Sequence, residues 1–505
     1  MVFEPKFTKV VSSTRKTVGC MQTVVEIKLP TADTGIASVL SVGAKSVVVN
    51  NEVVGKDIVF NGVVDFQAVY RAESISAVDY SAEFRDKFVT TETIDGELIL
   101  SSSIIDVTSS IVGGGIRVVA VVEVTIDQIV NENLSVLTAV DGDDIHISNN
   151  EMNYSTYIGK ANEKFDVNVD IELAGVANVL MVTPMVSVYS VEPRENYLVV
   201  SGKVDLDICA QTGDNVNSLA TYYKNNDFSW EVAYDGINNN AIIQSIVNIV
   251  YNEVKVSTFV ENGVANLSVV VPVNYMGFVF KQNQLETIED VYLEKNYLSI
   301  TCENFRTIDC GGSISFKDNI SGTATIQDTA PFIDDVLAVC TSNVVVASSR
   351  VEDGKLSVEG VANSTVAYYT KDTGEITAVQ VEMPFSIEKR VDYPQATIVT
   401  VALENISARS KRGKEIEVSA ELNIFVDLAQ ENSGVVITEV VLGEEKKIDD
   451  CALQIYVVKP NQTVWDIAKE LSVSQELIME QNESISLPLK AGDKIVIYKT
   501  NLMKY

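Results

Sequence analysis

The feature that most constrains this chain is a seven-residue element, Ile/Val-x-x-Val-Leu-x-Val, which occurs three times, at Ile36–Val42, Val176–Val182 and Ile333–Val339. Each copy leads into a valine-rich stretch and then a second apolar stretch containing a glycine: Gly62, Gly202 or Gly360. The glycines stand 22, 22 and 23 residues after Leu40, Leu180 and Leu337, and a phenylalanine (Phe88, Phe228, Phe385) stands 48 residues after each of the same leucines. The copies begin 140 and 157 residues apart, so the repeating unit is a domain rather than a short solenoid turn. The leucines and phenylalanines read as core positions. A glycine inside a strand reads as a bulge or a close backbone approach.

Most of the chain has strand periodicity. Ile416, Val418, Ala420, Leu422 and Ile424 alternate with Glu417, Ser419, Glu421 and Asn423, the period of two of a half-buried strand. Lys203-Val-Asp-Leu-Asp-Ile repeats that pattern. Asn50-Asn51, Gly113-Gly114-Gly115, Asp353-Gly354 and Arg412-Gly413 read as turns. The expected fold class is mainly β: three tandem β-sandwich or barrel-like repeat domains followed by a small α+β (βααβ) domain. The expected division is an N-terminal segment at 1–22, repeat domains at 23–150, 151–305 and 306–445, a charged linker at 446–453 and the small domain at 454–498.

Charge separates the body from the tail. The net charge is −32, yet residues 451–505 hold six lysines and six acidic residues, so the whole excess lies on residues 1–450. Such a body disfavours nucleic acid and anionic membrane surfaces and favours a partner with a basic face. No apolar run is long enough to span a bilayer. The six scattered cysteines form no Cys-x-x-Cys pair and read as reduced thiols. Met1-Val-Phe-Glu-Pro-Lys has no signal-peptide pattern, so a cytosolic location is expected.

In the tail, Leu453–Val458 reads as a strand. Thr463 and Asp466 have capping-box spacing, so a helix is predicted to start at Val464, with Val464, Ile467, Ala468 and Leu471 on its apolar face. Ser474 is placed to cap a second helix that ends near Asn482, and Lys494–Tyr498 closes the unit as a strand.

Tyr456-Val-Val-Lys-Pro460, Thr463-Val-Trp-Asp-Ile-Ala468, Asn482 and Leu489-x-x-Gly492-Asp-x-Ile495-x-Ile497 resemble the LysM family. The resemblance implies a shallow groove between the first strand–helix loop and the loop entering the second strand, and binding of N-acetylglucosamine-containing glycans such as peptidoglycan. The groove residues are then Asn461, Gln462, Thr463, Val464 and Trp465 on one lip and Ser484, Ile485, Ser486 and Leu487 on the other. The family usually carries Gly-Asp-Thr where this chain has Asn461-Gln462-Thr463. Loss of glycine hinders positive φ, and loss of aspartate removes a charged acceptor. Together, acidic repeats and a terminal LysM resemble spore-coat morphogenetic proteins of the SipL and SpoVID type. That likeness implies synthesis in the mother-cell cytoplasm, placement at the forespore surface in the spore coat, and a LysM that docks a SpoIVA-like coat ATPase, with other coat proteins as further partners. The alternative reading is a peptidoglycan-binding protein of the wall or cortex.

Catalytic equipment is not expected. The single histidine, His146, reads as a strand-end surface residue and has no G-x-S-x-G partner motif. Asp141-Gly-Asp-Asp144 lacks the spacing of a calcium loop, and Gly113-Gly-Gly115 precedes a strand rather than a phosphate-binding helix. Neither a metal nor a cofactor is expected. Arg409, Lys411, Arg412 and Lys414 read as a solvated hairpin turn.

Overall fold

The computed structural model describes residues 3–31, 35–213, 218–261, 263–327, 330–371, 373–447 and 453–498. The body consists of antiparallel sheets arranged as three similar units. The first unit comprises β1 (Phe3–Lys28), β2 (Ser38–Val54), β3 (Asp57–Arg71), β4 (Ile75–Val89), β5 (Glu97–Val112) and β6 (Gly115–Gly142). The second comprises β7 (Ile145–Ala174), β8 (Val176–Arg194), β9 (Tyr197–Thr212), β10 (Leu219–Ala233), β11 (Ala241–Ile249), β12 (Lys255–Glu261) and β13 (Val264–Leu293). The third comprises β14 (Asn296–Thr325), β15 (Ile333–Glu352), β16 (Lys355–Thr370), β17 (Ile376–Arg390), β18 (Gln395–Lys411) and β19 (Glu415–Glu445).

In the first unit the sheet β1-β6-β5 packs on β2-β3-β4. The third does the same with β14-β19-β18 on β15-β16-β17. The second packs β8-β9-β10 on a sheet in which β7 flanks one side of β13 while β12 and β11 flank the other. The alternation visible in the sequence fills these cores: Ile116, Val118, Ala120, Val122, Val124 and Ile126 are fully buried along β6, as are Ile416, Val418, Leu422 and Ile424 along β19. The Gly113-Gly114, Asp353-Gly354 and Arg412-Gly413 pairs all adopt positive φ between paired strands, as tight hairpins require. Asn50-Asn51 is no turn. It lies inside β2, beside the register shift at Val48/Asn50, and Asn61 donates to the Asn50 side chain at 2.8 Å.

Phe3–Lys28 is one strand paired with β6 along its length, so residues 3–22 of the expected N-terminal segment belong to the first unit's sheet. The sequence boundaries at 150 and 305 likewise fall inside β7 and β14. These strands are long because each serves two purposes. One half completes a unit's sandwich. The other half pairs as a ribbon with the unit's last strand, as in Phe3–Val10 with Leu134–Gly142. The three ribbons share cores, one built from Val10, Val136 and Val436, the next from Leu137, Ile288, Val291, Ile437 and Val440. At the opposite end the units meet again. Leu40, Met181 and Ala338 bury together with Val69, Cys209 and Ala367, and Leu180 and Leu337 pack against them. The leucine of each repeated Val-Leu-x-Val element therefore faces the junction between units, while flanking positions such as Val176, Val182 and Ile333 pack into their own unit's core.

The glycines behave as read. An added Cβ on Gly202 would lie 2.3 Å from the Ser187 carbonyl oxygen and 2.5 Å from the Phe228 ring, beside the register shift at Val188/Ser190. Gly360 has the same relation to Val345 and Phe385. In the first unit, however, the ring over Gly62 belongs to Phe84, its cross-strand partner, and Phe88 instead covers Gly19. The +48 position of Phe88 therefore does not mark the ring over the strand glycine in the first unit.

Polar groups also hold the units together. The polar face of β9 meets the other two units: Lys203 pairs with the buried Glu404 of the third at 2.7 Å, where Asn423 donates to the same carboxylate at 3.1 Å, and the Gln211 amide donates to the Ile75 carbonyl of the first at 3.0 Å. Where the three units abut midway, Arg15 pairs with Asp127 at 2.6 Å. Nearby, the buried Asp427 carboxylate accepts from the Ser245 N–H at 2.8 Å and from the Ser313 hydroxyl. Burial pushes the Asp427 carboxyl up to about 7.

Candidate functional site

The C-terminal unit is built from β20 (Leu453–Val457), α1 (Val464–Leu471), α2 (Gln475–Gln481) and β21 (Lys494–Tyr498), with β20 and β21 paired antiparallel. Thr463 caps α1 in a reciprocal capping box with Asp466, and Ser474 caps α2. Ile467, Ala468, Ile478, Ile495 and Ile497 form its core. Asn482, buried, clamps α2 to β21: its amide donates to the carbonyls of Ile478 and Val496 at 2.8 and 2.7 Å, and its oxygen accepts from the Val496 N–H at 2.8 Å. The linker expected at 446–453 lies mostly outside the described residues, as does Cys451.

The first loop keeps its shape despite the missing glycine. Asn461 adopts φ 62°, and asparagine is the side chain that best tolerates this left-handed conformation. The residue after it turns inward. The Gln462 side-chain oxygen accepts from the Lys459 N–H at 2.9 Å, and its amide donates to Glu470 at 3.1 Å. The Tyr456 hydroxyl donates to Glu470 at 2.5 Å, and Lys459 pairs with it at 3.0 Å. These donors hold the Glu470 carboxyl below its ordinary range. The Thr463 hydroxyl and N–H are likewise used by Asp466, both at 2.8 Å.

The proposed lips are therefore unequal. Asn461, Thr463, Ser484, Ser486 and Leu487 are exposed, with Leu487 60% accessible, whereas Val464 and Ile485 are half-buried against the core. Trp465 leaves the groove set. Its indole Nε1 donates to Asp290 Oδ2 at 2.8 Å, and its ring meets Tyr292 edge-on, centroids 5.0 Å apart. Lys469 pairs with Asp290 at 2.6 Å. The Tyr292 hydroxyl donates to the Val473 carbonyl at 2.7 Å, and Lys446 bridges the Leu293 carbonyl and the Ser472 hydroxyl, both at 2.7 Å. His146 is not a free surface residue. It stacks on Tyr292 at 4.8 Å and bonds Glu294 at 2.9 Å, backing the same contact.

The small unit is thus seated on the ribbon end of β13. Asp290, Tyr292 and Lys446 were missed in the sequence because nothing local marks them: their partners lie up to 181 residues away. Their only trace is an aromatic and a carboxylate two residues apart at a strand end.

A βααβ module of this kind, capped and clamped as described, defines the class of the C-terminal unit. Residues 456–497 match the LysM domain family, so the chain carries a C-terminal LysM domain. No curated protein and no solved structure matches the chain. No described helix is long and apolar enough to cross a membrane.

Proposed function

We propose that this chain is a non-enzymatic morphogenetic adaptor of endospore coat assembly. In this reading the three-unit body is a rigid acidic scaffold, made in the mother-cell cytoplasm and placed at the forespore surface. The LysM domain docks a protein partner, a SpoIVA-like coat ATPase, rather than a glycan. The observation that carries this is the inward turn of the first loop. Gln462 is committed to Lys459 and Glu470, and Thr463 to Asp466, so the polar groups a sugar would need are already engaged. What remains outward is Asn461, two serines and the exposed Leu487, a surface suited to apolar contact at a protein interface.

The test uses the full chain, with and without Leu487→Asp. A SpoIVA-like ATPase is immobilised and capture is measured; in parallel the chain is titrated with chitin oligomers and muropeptides. The adaptor reading expects capture that falls at least about tenfold in the variant and no glycan binding at micromolar concentration. Micromolar glycan binding without ATPase capture would replace it with the cell-wall reading.

A further inference from the structure

The middle unit departs from its two companions at one sheet edge. In the first and third units the edge strands β5 and β18 run unbroken for 16 and 17 residues. In the second unit the corresponding strand is broken by a 3-10 turn at Tyr251–Glu253, and the Tyr251 ring lies under Lys45 of the first unit, 5.5 Å from its Nζ. The remainder, β12, pairs only with β13 among the described residues, and all seven of its residues are exposed. They include Phe259, 63% accessible, and Val256. Exposed edges are usually blunted by charge, as Arg409 and Lys411 do on β18. On β12 the charges, Lys255 and Glu261, stand only at the two ends, and the aromatic Phe259 occupies the stretch between them.

The neighbouring strands complete a surface. The register sets Asp170 of β7 opposite Ser268 of β13, which faces Ser257 of β12; the next row is Glu172, Asn266 and Phe259. Opposed residues in a sheet share a face, so each row presents a carboxylate, a small polar group and, in the second row, the phenyl ring, spread over about 10 Å. These residues line a groove of about 600 Å³. Neither Asp170 nor Glu172 has a basic partner among the described ion pairs, whereas the outer-face carboxylates Glu26 and Glu417 of the other units are paired with Arg117 and Arg409.

We infer that this groove is a docking site for an extended lysine- or arginine-bearing segment of a partner protein. A cationic side chain lies over Phe259 while Asp170 and Glu172 neutralise it, and the adjoining side chains contact Ser257, Asn266 and Ser268. Aromatic and carboxylate together select a cation over a purely apolar ligand, and the acidic body draws basic partners toward it. The site is independent of the LysM groove.

The probe is a fluorescein-labelled octapeptide of alternating lysine and valine, with a glutamate–valine analogue as control, followed by anisotropy on the full chain at physiological salt. The lysine peptide is expected to bind and the analogue not. Phe259→Ser, and separately the pair Asp170→Asn/Glu172→Gln, should each weaken binding about tenfold. The charge-matched pair Glu303→Gln/Glu444→Gln on the third unit should change it less than about twofold, because both residues are exposed and remote from the groove. Equal losses in all variants would reduce the effect to diffuse charge and overturn the site, as would absence of binding.

Discussion

The indole N–H of Trp465 donates to the Asp290 carboxylate at 2.8 Å, joining the first helix of the LysM domain to the end of β13. Lys469 shares that carboxylate and Tyr292 packs against the ring, so three side chains converge on one seat. Asp290→Ala is expected to loosen the LysM domain from the body without unfolding either, because Asp290 itself belongs to neither apolar core. The local cost is about 1–3 kcal/mol, the range for a lost hydrogen bond to a charged group. The only other tryptophan, Trp230, is stacked between Phe165 and Phe228, so a Trp230→Phe background isolates the Trp465 emission. A red shift of that emission, with faster proteolysis in the 446–453 region, supports the seat. Unchanged emission and cleavage would mean that the contact carries no weight.

The assignment of Phe84, rather than Phe88, to the ring over Gly62 is checked by stability. Phe84→Ala removes a buried ring that also meets Phe60 edge-on at 6.5 Å, and should cost about 3–5 kcal/mol. Phe88 is only half-buried, so Phe88→Ala should cost about 1–2 kcal/mol. Calorimetric melting of the two variants gives the order; a larger drop for Phe88→Ala would restore the +48 register.

Asp427 makes the body sensitive to pH. Its folded carboxyl is raised to about 7 against 3.8, so the folded state holds a proton that the unfolded chain releases. The stability from this group is full below about pH 4 and is lost as pH rises toward 7. Asp427→Asn keeps an oxygen for Ser245 and Ser313 but cannot ionise. Its melting midpoint should match the parent near pH 4.5 and exceed it by several degrees at pH 8. Parallel pH profiles for the two proteins would show that the carboxylate ionises without strain.

Much of the fold was legible because strands buried on one face write their period into the chain, as Ile416 to Ile424 do. The helices of the LysM domain were legible to the residue, since Thr463 and Ser474 are caps that act locally. Unit boundaries were not. Alternation continues unchanged where a strand passes from a sandwich into a ribbon, so nothing at residues 22, 150 or 305 signals the crossing. The role of Leu40, Leu180 and Leu337 was hidden for a related reason: a leucine buried between units and one buried within a unit look the same in sequence. Asn423 read as solvent-facing because the period cannot tell water from the neighbouring unit that supplies Glu404. In the site, the loop residues were found by motif, but the engagement of Trp465 depends on a strand far away in the chain.

The seat on β13 has a further consequence. After the shared ribbon-core valines Val140, Val291 and Val440, the next residue is Asp141, Tyr292 or Val441 in the three units. Only one offers an aromatic to Trp465. A body assembled from three like parts therefore offers its LysM domain one seat, and the likeness of the three units ends at this strand end. Triplication here enlarges the body without repeating the seat.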